Sequence, residues 1–360
     1  MTPIELRSDN ASGSAPQIID AIGAANIGSA RPYGDDQLTG QLTDTVREVF
    51  EHPTAAVFSV LSGTAANSLS LSAMCPPWGA VLCHETAHIL QSEGGATSMF
   101  SGGAVMKGLS GAGHRIDPAS IDHALATTRW GDPHHSQPAV LSLTLPSDYG
   151  TVYTPAQVGA LARQVKERGL RVHIDGARFA NALAALDCTP ADLTWRAGVD
   201  VLSLGATKNG ALNTDAIVSF DAGISEQLVY RVKRAGHVAS KMRFQSAQLR
   251  TYLSDGLWLQ LAGAANAAMA RLAAGLKSLG LELVDEPDVN MAFVRVDDSV
   301  ADRMEQSGLL FYRMGTGLIR LVTSFQTTAA EVDDALSRIG AALAGTAAGP
   351  GQGQGEKVAT

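Results

Sequence analysis

Two stretches decide the fold: LRVHIDGAR at residues 170–178 and VDVLSLGATKNGA at residues 199–211. Each is a short apolar run that ends in small residues and charge, Asp175 with Arg178 in the first and Gly205 with Lys208 in the second. Apolar residues at consecutive positions, without alternation, describe strands covered on both faces. Four more runs share that texture: AAVFSVL (55–61), AVLC (80–83), AVLSLTL (139–145) and AIVSF (216–220). Between them TPAQVGALARQVKERGL (154–170) has a Thr-Pro start, helically spaced apolar residues and a basic last turn before Gly169. Strands alternating with helices make this an α/β chain with a mostly parallel sheet.

Composition narrows the function. The 360 residues are 45% apolar and 17% charged, enough for a substantial core. No uncharged apolar run approaches the roughly 20 residues of a membrane span, and the start MTPIELRSDN lacks the layout of a secretion signal, so a cytoplasmic setting is expected. Cys75, Cys83 and Cys188 are odd in number and lack a C-x-x-C spacing, which argues for core fillers rather than disulfides or a thiolate metal site. A net charge of −8 without any basic block excludes nucleic acid and anionic membranes as expected partners. Small molecules remain. After residue 245 the texture changes to the alanine-rich WLQLAGAANAAMARLAAGLKSLG (258–280), MAFVRV (291–296) and LIRLVTSF (318–325). The expected organisation is an N-terminal arm (1–30), a large domain (31–245), a smaller α+β domain (246–344) and a disordered Gly- and Gln-rich tail (345–360).

Three features could carry chemistry. LSGTAANSLSL (61–71) takes a strand into Ser62-Gly63-Thr64 and a helix, where free backbone N–H groups can cradle a phosphate or the side chains can simply cap. Asp175 ends a strand at the edge where open α/β sheets bind ligands, or caps the helix that follows; Arg178 is a surface arginine or a planar fork for a carboxylate. Lys208, 33 residues after Asp175, snorkels to solvent or stays inside for chemistry. Together they are the parts pyridoxal phosphate needs: an amine for a Schiff base, a carboxylate to keep the ring nitrogen protonated, and a phosphate site. His84-Glu85-Thr86-Ala87-His88 also spells H-E-x-x-H, the zinc-hydrolase string. Here it follows a short strand, and Gly94-Gly95 cuts off a long helix, so zinc is the distant alternative and no metal is expected.

At this point the sequence resembles the threonine aldolases, pyridoxal-phosphate enzymes of fold type I, the aspartate-aminotransferase-like fold. The matching residues are LRSDN (6–10), RPYGDD (31–36), SGTAAN (62–67), HETAHI and EGGA (84–89 and 93–96), GTVYT (150–154), HIDGAR (173–178), ATKNGA (206–211), KMRFQSAQ (241–248) and LIRLVTSF (318–325), in family order over residues 5–325. The resemblance implies that Lys208 bonds the cofactor, Asp175 meets its ring nitrogen and His88 stacks on its ring. Gly63, Thr64 and Thr207 would meet the phosphate, with Arg243 from a neighbouring subunit. Ser8, Arg178 and Arg320 would hold the substrate carboxylate, and Tyr33 would reach a partner's site, so a homo-oligomer, dimer or tetramer, is expected. The implied reaction is retro-aldol cleavage of a β-hydroxy-α-amino acid, of the L-threonine or L-allo-threonine type, to glycine and an aldehyde. An aldolase preferring an aromatic substrate such as phenylserine is the nearest alternative, with β-elimination, transamination and racemisation as rivals from the same cofactor. One departure stands out: where many members carry Thr-His-Asn, this chain has LTLPSDYGTVYT (143–154), leaving Asp148, Tyr149 or His88 through a water as the base for the β-hydroxyl. His134 and His135 are expected to face solvent.

Overall fold

A computed structural model describes residues 2–186 and 188–345. Seven strands, β1 (Ala56–Val60), β2 (Gly79–His84), β3 (Val105–Leu109), β4 (Gln137–Thr144), β5 (Arg171–Gly176), β6 (Val201–Leu204) and β7 (Asp215–Ser219), form one sheet in the spatial order β1-β7-β6-β5-β4-β2-β3. From β3 to β6 all neighbours are parallel; β7 runs antiparallel to both β6 and β1. The six apolar runs of the sequence all become strands of this sheet. β3 is the one they do not include, because an edge strand exposing Val105 and Lys107 has no need of continuous apolarity.

Register sets the site. Thr144 of β4 pairs with Asp175 of β5, and Asp175 pairs with Ser203 of β6, so three strands end at one level. The chain leaves β1 for the β2–β3 edge and returns through β4, β5 and β6, which opens a crevice at those carboxyl ends. Helix α1 (Gly63–Met74) starts there, capped by the Ser62 side chain accepting the Ala65 N–H at 3.3 Å. Helix Pro155–Lys166 has the full capping box of Thr154 and Gln157. Beneath the site, His173 lies between the hydroxyls of Ser142 and Ser203, each 2.9 Å away, a polar rung across β4, β5 and β6. Burial pushes its imidazole down to about 4, so it is a neutral core histidine.

A second sheet is antiparallel, with β8 (Glu282–Leu283), β9 (Met291–Arg295), β10 (Tyr312–Arg313) and β11 (Leu318–Val322) in the order β10-β11-β9-β8. Its core includes Val294, Ile319, Leu321 and Ile339. Helix α2 (Leu257–Ser278) belongs to both cores: Leu257, Trp258 and Ala262 pack under the large sheet, and Met269, Leu272 and Leu276 under the small one. The chain start does the same. Ile4–Glu5 pairs with Leu309–Leu310, and Ile4 and Leu6 join the small core, whereas Ala15 and Ile18 join the large one. Residues 8–10 are thereby drawn along the seam. Cys75 and Cys83 are buried core residues and Cys188 is half-buried against the main core. The tail expected from residue 345 lies, from 346 on, outside the described residues. Among the described residues no helix is long and apolar enough to cross a membrane.

Candidate active site

Lys208 sits on a 3-10 turn, Thr207–Asn209, just past β6. A methyl on Gly205 would stand 2.2 Å from the Ala177 carbonyl oxygen, so only glycine lets the end of β6 close on the turn after β5. Asp215, at the start of β7, accepts the N–H groups of Ala206 and Thr207 at 2.8 and 3.0 Å. On the other side Asn209 donates to the Tyr252 hydroxyl at 2.9 Å and the Trp258 carbonyl at 2.8 Å. Locked from both flanks, the turn presents Lys208 to a cavity of about 280 Å³. The amine has no hydrogen-bond or ion-pair partner among the described residues. Burial, and then the charge of Arg178, hold its pKa below the usual lysine value, which favours the neutral, nucleophilic form.

The same cavity is lined by Gly63 and Thr64 at the α1 start and by Thr207. A Cβ on Gly63 would meet nothing within 4 Å, so open space lies over these helix-start amides. Asp175, 2% exposed, accepts the Ala177 N–H at 3.1 Å and the Asn67 amide at 3.0 Å. That Asn67 nitrogen also donates to Glu93 Oε1 at 2.9 Å, and His88 Nδ1 meets the same oxygen at 3.1 Å. His88 is held above the ordinary imidazole value by this bond to Glu93, with the charges of Asp175 and Asp148 adding to it against burial. Glu93 is itself pushed up, by burial first and then by Asp175, and its Oε2 is buried without a partner.

The H-E-x-x-H string is not one helix. His84 ends β2 and bonds Thr86 Oγ1 at 2.8 Å and the Gly111 carbonyl at 3.3 Å, whereas His88 opens the separate helix His88–Gln91. The two imidazoles therefore do not share the i, i+4 face a zinc helix needs. His134 and His135 are exposed, His135 against Asp132 at 3.1 Å.

The carboxylate-binding candidates are partly engaged already. Arg178 lines the cavity but grips Asp9 as a fork, Nε to Oδ2 at 2.6 Å and Nη2 to Oδ1 at 2.9 Å. Asp9 also accepts from Asn290 Nδ2 at 3.0 Å. Ser8 caps the 3-10 turn Asp9–Ala11 and lines a neighbouring groove rather than this cavity. Arg320 donates to the Arg7 carbonyl at 3.3 Å and covers the Tyr312 ring; burial, and then the charge of Arg178, depress its pKa. Two guanidinium groups that repel each other favour an anion near both. Arg243 and Tyr33 do not line the cavity. Arg243 donates to the Gly28 carbonyl at 3.1 Å, and Tyr33 is 55% exposed with φ +63° beneath the Lys233 ammonium.

Asp9, Asn10, Asn67, Glu93 and Asp215 belong to the site's geometry although sequence reasoning assigns them nothing. Four of the five stand inside the motifs, but Asp9 and Asn67 find their partners Arg178 and Asp175 at 169 and 108 positions away in the chain. A groove of about 630 Å³ beside β3, lined by Lys107 and His123 among others, holds none of the expected site residues.

The pattern of the beta-eliminating lyase family matches residues 5–299. A low-specificity L-threonine aldolase of a Pseudomonas species is 39% identical over 341 residues, covering 94% of this chain and 98% of that protein. One from Pseudomonas aeruginosa is 41% identical over 327 residues, covering 90% and 93%. Among solved structures, a Leishmania major threonine aldolase superposes with a TM-score of 0.86 at 26% identity, covering 95% of this chain and 99% of that one.

Proposed function

This chain belongs to the beta-eliminating lyase family, among its low-specificity L-threonine aldolases, and from that premise we propose that it cleaves a β-hydroxy-α-amino acid of the threonine type to glycine and an aldehyde. The observation that carries the reading is Lys208, an unpartnered amine with a lowered pKa, in a cavity whose wall also holds a helix start. The residues fit pyridoxal phosphate: open space over the Gly63 amide suits its phosphate, and the carboxylate of Asp175 at the same sheet edge suits its ring nitrogen.

Lys208 would hold the cofactor through its amine, Asp175 would keep the ring nitrogen protonated, and His88 would cover the ring. Gly63, Thr64 and Thr207 would hold the phosphate, with Arg243 of a second copy. When bound, pyridoxal phosphate supplies an electron sink for the Cα–Cβ bond pair. The protein's part is orientation and proton movement. Arg178, already fixed by Asp9, and Arg320 favour an anion near them; with Ser8 they hold the substrate carboxylate and so direct the Cα–Cβ bond. The β-hydroxyl proton passes to a group on the cavity wall that bears His88 and Asp148.

The same proposal includes a large cofactor-binding unit over residues 31–245 and a small unit over 246–344, supported by the presence of two cores, with Leu249, Tyr252, Trp258 and Ala262 of the second stretch packing into the large core and residues 1–30 as an arm joining both. It includes a homo-oligomer, dimer or tetramer, supported by Arg243 and Tyr33 lying outside their own chain's cavity, and a cytoplasmic setting, supported by the two buried thiols. The test is direct: purified protein is expected to be yellow, to lose that absorbance on borohydride reduction and in Lys208→Ala, and to release glycine and acetaldehyde from threonine. A colourless protein that still cleaves threonine would end this reading.

A further inference from the structure

We propose that Asp148 is the catalytic residue that accepts the β-hydroxyl proton of the substrate, a role that rests on the aldol reading and names the acid-base group within it. Asp148 lines the cavity on the segment leaving β4. Its Oδ2 accepts the backbone N–H of His88 at 3.1 Å, and its Oδ1 has no hydrogen-bond partner among the described residues. The segment is tied into a tight turn. Ser147 N–H donates to the Thr151 carbonyl at 2.8 Å, and Gly150, at φ +88°, leaves so little room that a Cβ would stand 2.5 Å from the Met291 carbonyl oxygen.

Of the other two candidates, Tyr149 is stacked away and His88 is engaged at Nδ1. The Tyr149 ring is stacked between His114, with centroids 3.4 Å apart and planes 3° apart, and Phe293 at 4.1 Å, so it does not line the cavity. His88 has its Nδ1 on Glu93, and that bond, with the charges of Asp175 and Asp148, raises its pKa above the ordinary imidazole value, so it holds a proton to higher pH than a free imidazole. Asp148 itself faces Asp175, His88 and Arg178, with Arg320 and the Cys83 thiol within electrostatic reach. Burial, and then Asp175, push its carboxyl up to about 6 against the pull of His88 and Arg178. It is thus ionised at neutral pH yet basic enough to take a proton and return it.

In the step, Oδ1 takes the hydroxyl proton and the O–H bonding pair becomes the second bond of the aldehyde carbonyl. The Cα–Cβ bond breaks as that carbonyl forms; pyridoxal phosphate, held as proposed by Lys208 and Asp175, would supply the sink for the bonding pair. The proton that Asp148 releases to water after the aldehyde departs is balanced by the one Cα takes up to become glycine.

The experiment compares threonine cleavage with exchange of the glycine α-proton in heavy water, since glycine has no β-hydroxyl. Asp148→Asn is expected to lose cleavage kcat/KM by about 10²–10⁴-fold, at least tenfold more than it loses exchange, and Asp148→Glu to regain cleavage over Asp148→Asn. In carboxyl-labelled cofactor-free protein, carbon-13 NMR is expected to show a resonance titrating near 6 that is missing from Asp148→Asn. Cleavage within threefold of wild type, equal loss of both reactions in the two variants, or an Asp148 carboxyl titrating in the ordinary aspartate range would each overturn the inference while leaving the aldolase reading intact. Wild-type protein that neither exchanges nor cleaves would overturn that reading, and the inference with it.

Discussion

Asp9 is a neighbour of Ser8 in the RSDN motif, yet its own partner is Arg178, 169 positions away in the chain. Burial alone would raise the Asp9 carboxyl; the charge and two hydrogen bonds of Arg178 outweigh it and hold the value below the usual aspartate range. A depressed carboxylate contributes stability at pH above its unfolded value, and that contribution is lost as pH falls through the folded one. Asp9→Asn leaves a buried guanidinium unpaired and is expected to cost about 3–5 kcal/mol at neutral pH. The deficit relative to wild type should shrink when denaturant melts are repeated in acid below the folded value. A deficit that is small or does not change with pH would mean the pair is not fixing Arg178. At this scale the sequence is legible where chemistry follows residue type, as for Lys208 and Asp175. It is silent where a side chain gains its role from a distant partner, as for Asp9 with Arg178 and Asn67 with Asp175, because local pattern carries no information on non-local pairing.

Elements carry these residues to the site, and the turn after β6 carries the most important one. β6 is only four residues long, so the reach of Lys208 depends on how closely its end approaches the β5 turn. Gly205→Ala forces a Cβ against the Ala177 carbonyl, which is backbone and cannot rotate away. The expected loss is about 1–3 kcal/mol or more, read as a lower denaturation midpoint together with weaker visible absorbance from the cofactor proposed to bind Lys208. Full stability with full absorbance would show that the closeness is incidental. Strands that are apolar on both faces announce themselves, and six of the seven did. β3 did not, since at an edge one side of the ladder is unpaired and the selection for apolar residues is relaxed. The short helix His88–Gln91 is likewise hidden inside a string that reads as a metal motif, because two histidines four apart do not say whether the residues between them are helical.

For the whole molecule, the proposed homo-oligomer raises the question of which residues of the site come from which copy. Arg243, half-buried at the start of helix Arg243–Leu253, and exposed Tyr33 do not line their own cavity. If copies share sites, Lys208→Ala and Arg243→Ala should each lack threonine cleavage alone and recover part of it when the two are mixed under conditions of subunit exchange, since some hybrid sites then hold both residues. Mixtures as inactive as their parents would confine Arg243 to its own chain. What the sequence by itself determined is the α/β class, the order of the site motifs along the chain and the residue types that pyridoxal phosphate chemistry needs, because buried strands, helix starts and reactive groups each leave a local signature. Only the tertiary structure decided that β4, β5 and β6 end at one level, that Asp9 already fills the fork of Arg178, that Tyr149 is stacked away from the cavity, and that Asp148 faces it beside a histidine tied to Glu93. Those outcomes depend on strand register and on packing between segments far apart in the chain, and both are set by the fold as a unit rather than by any stretch within it.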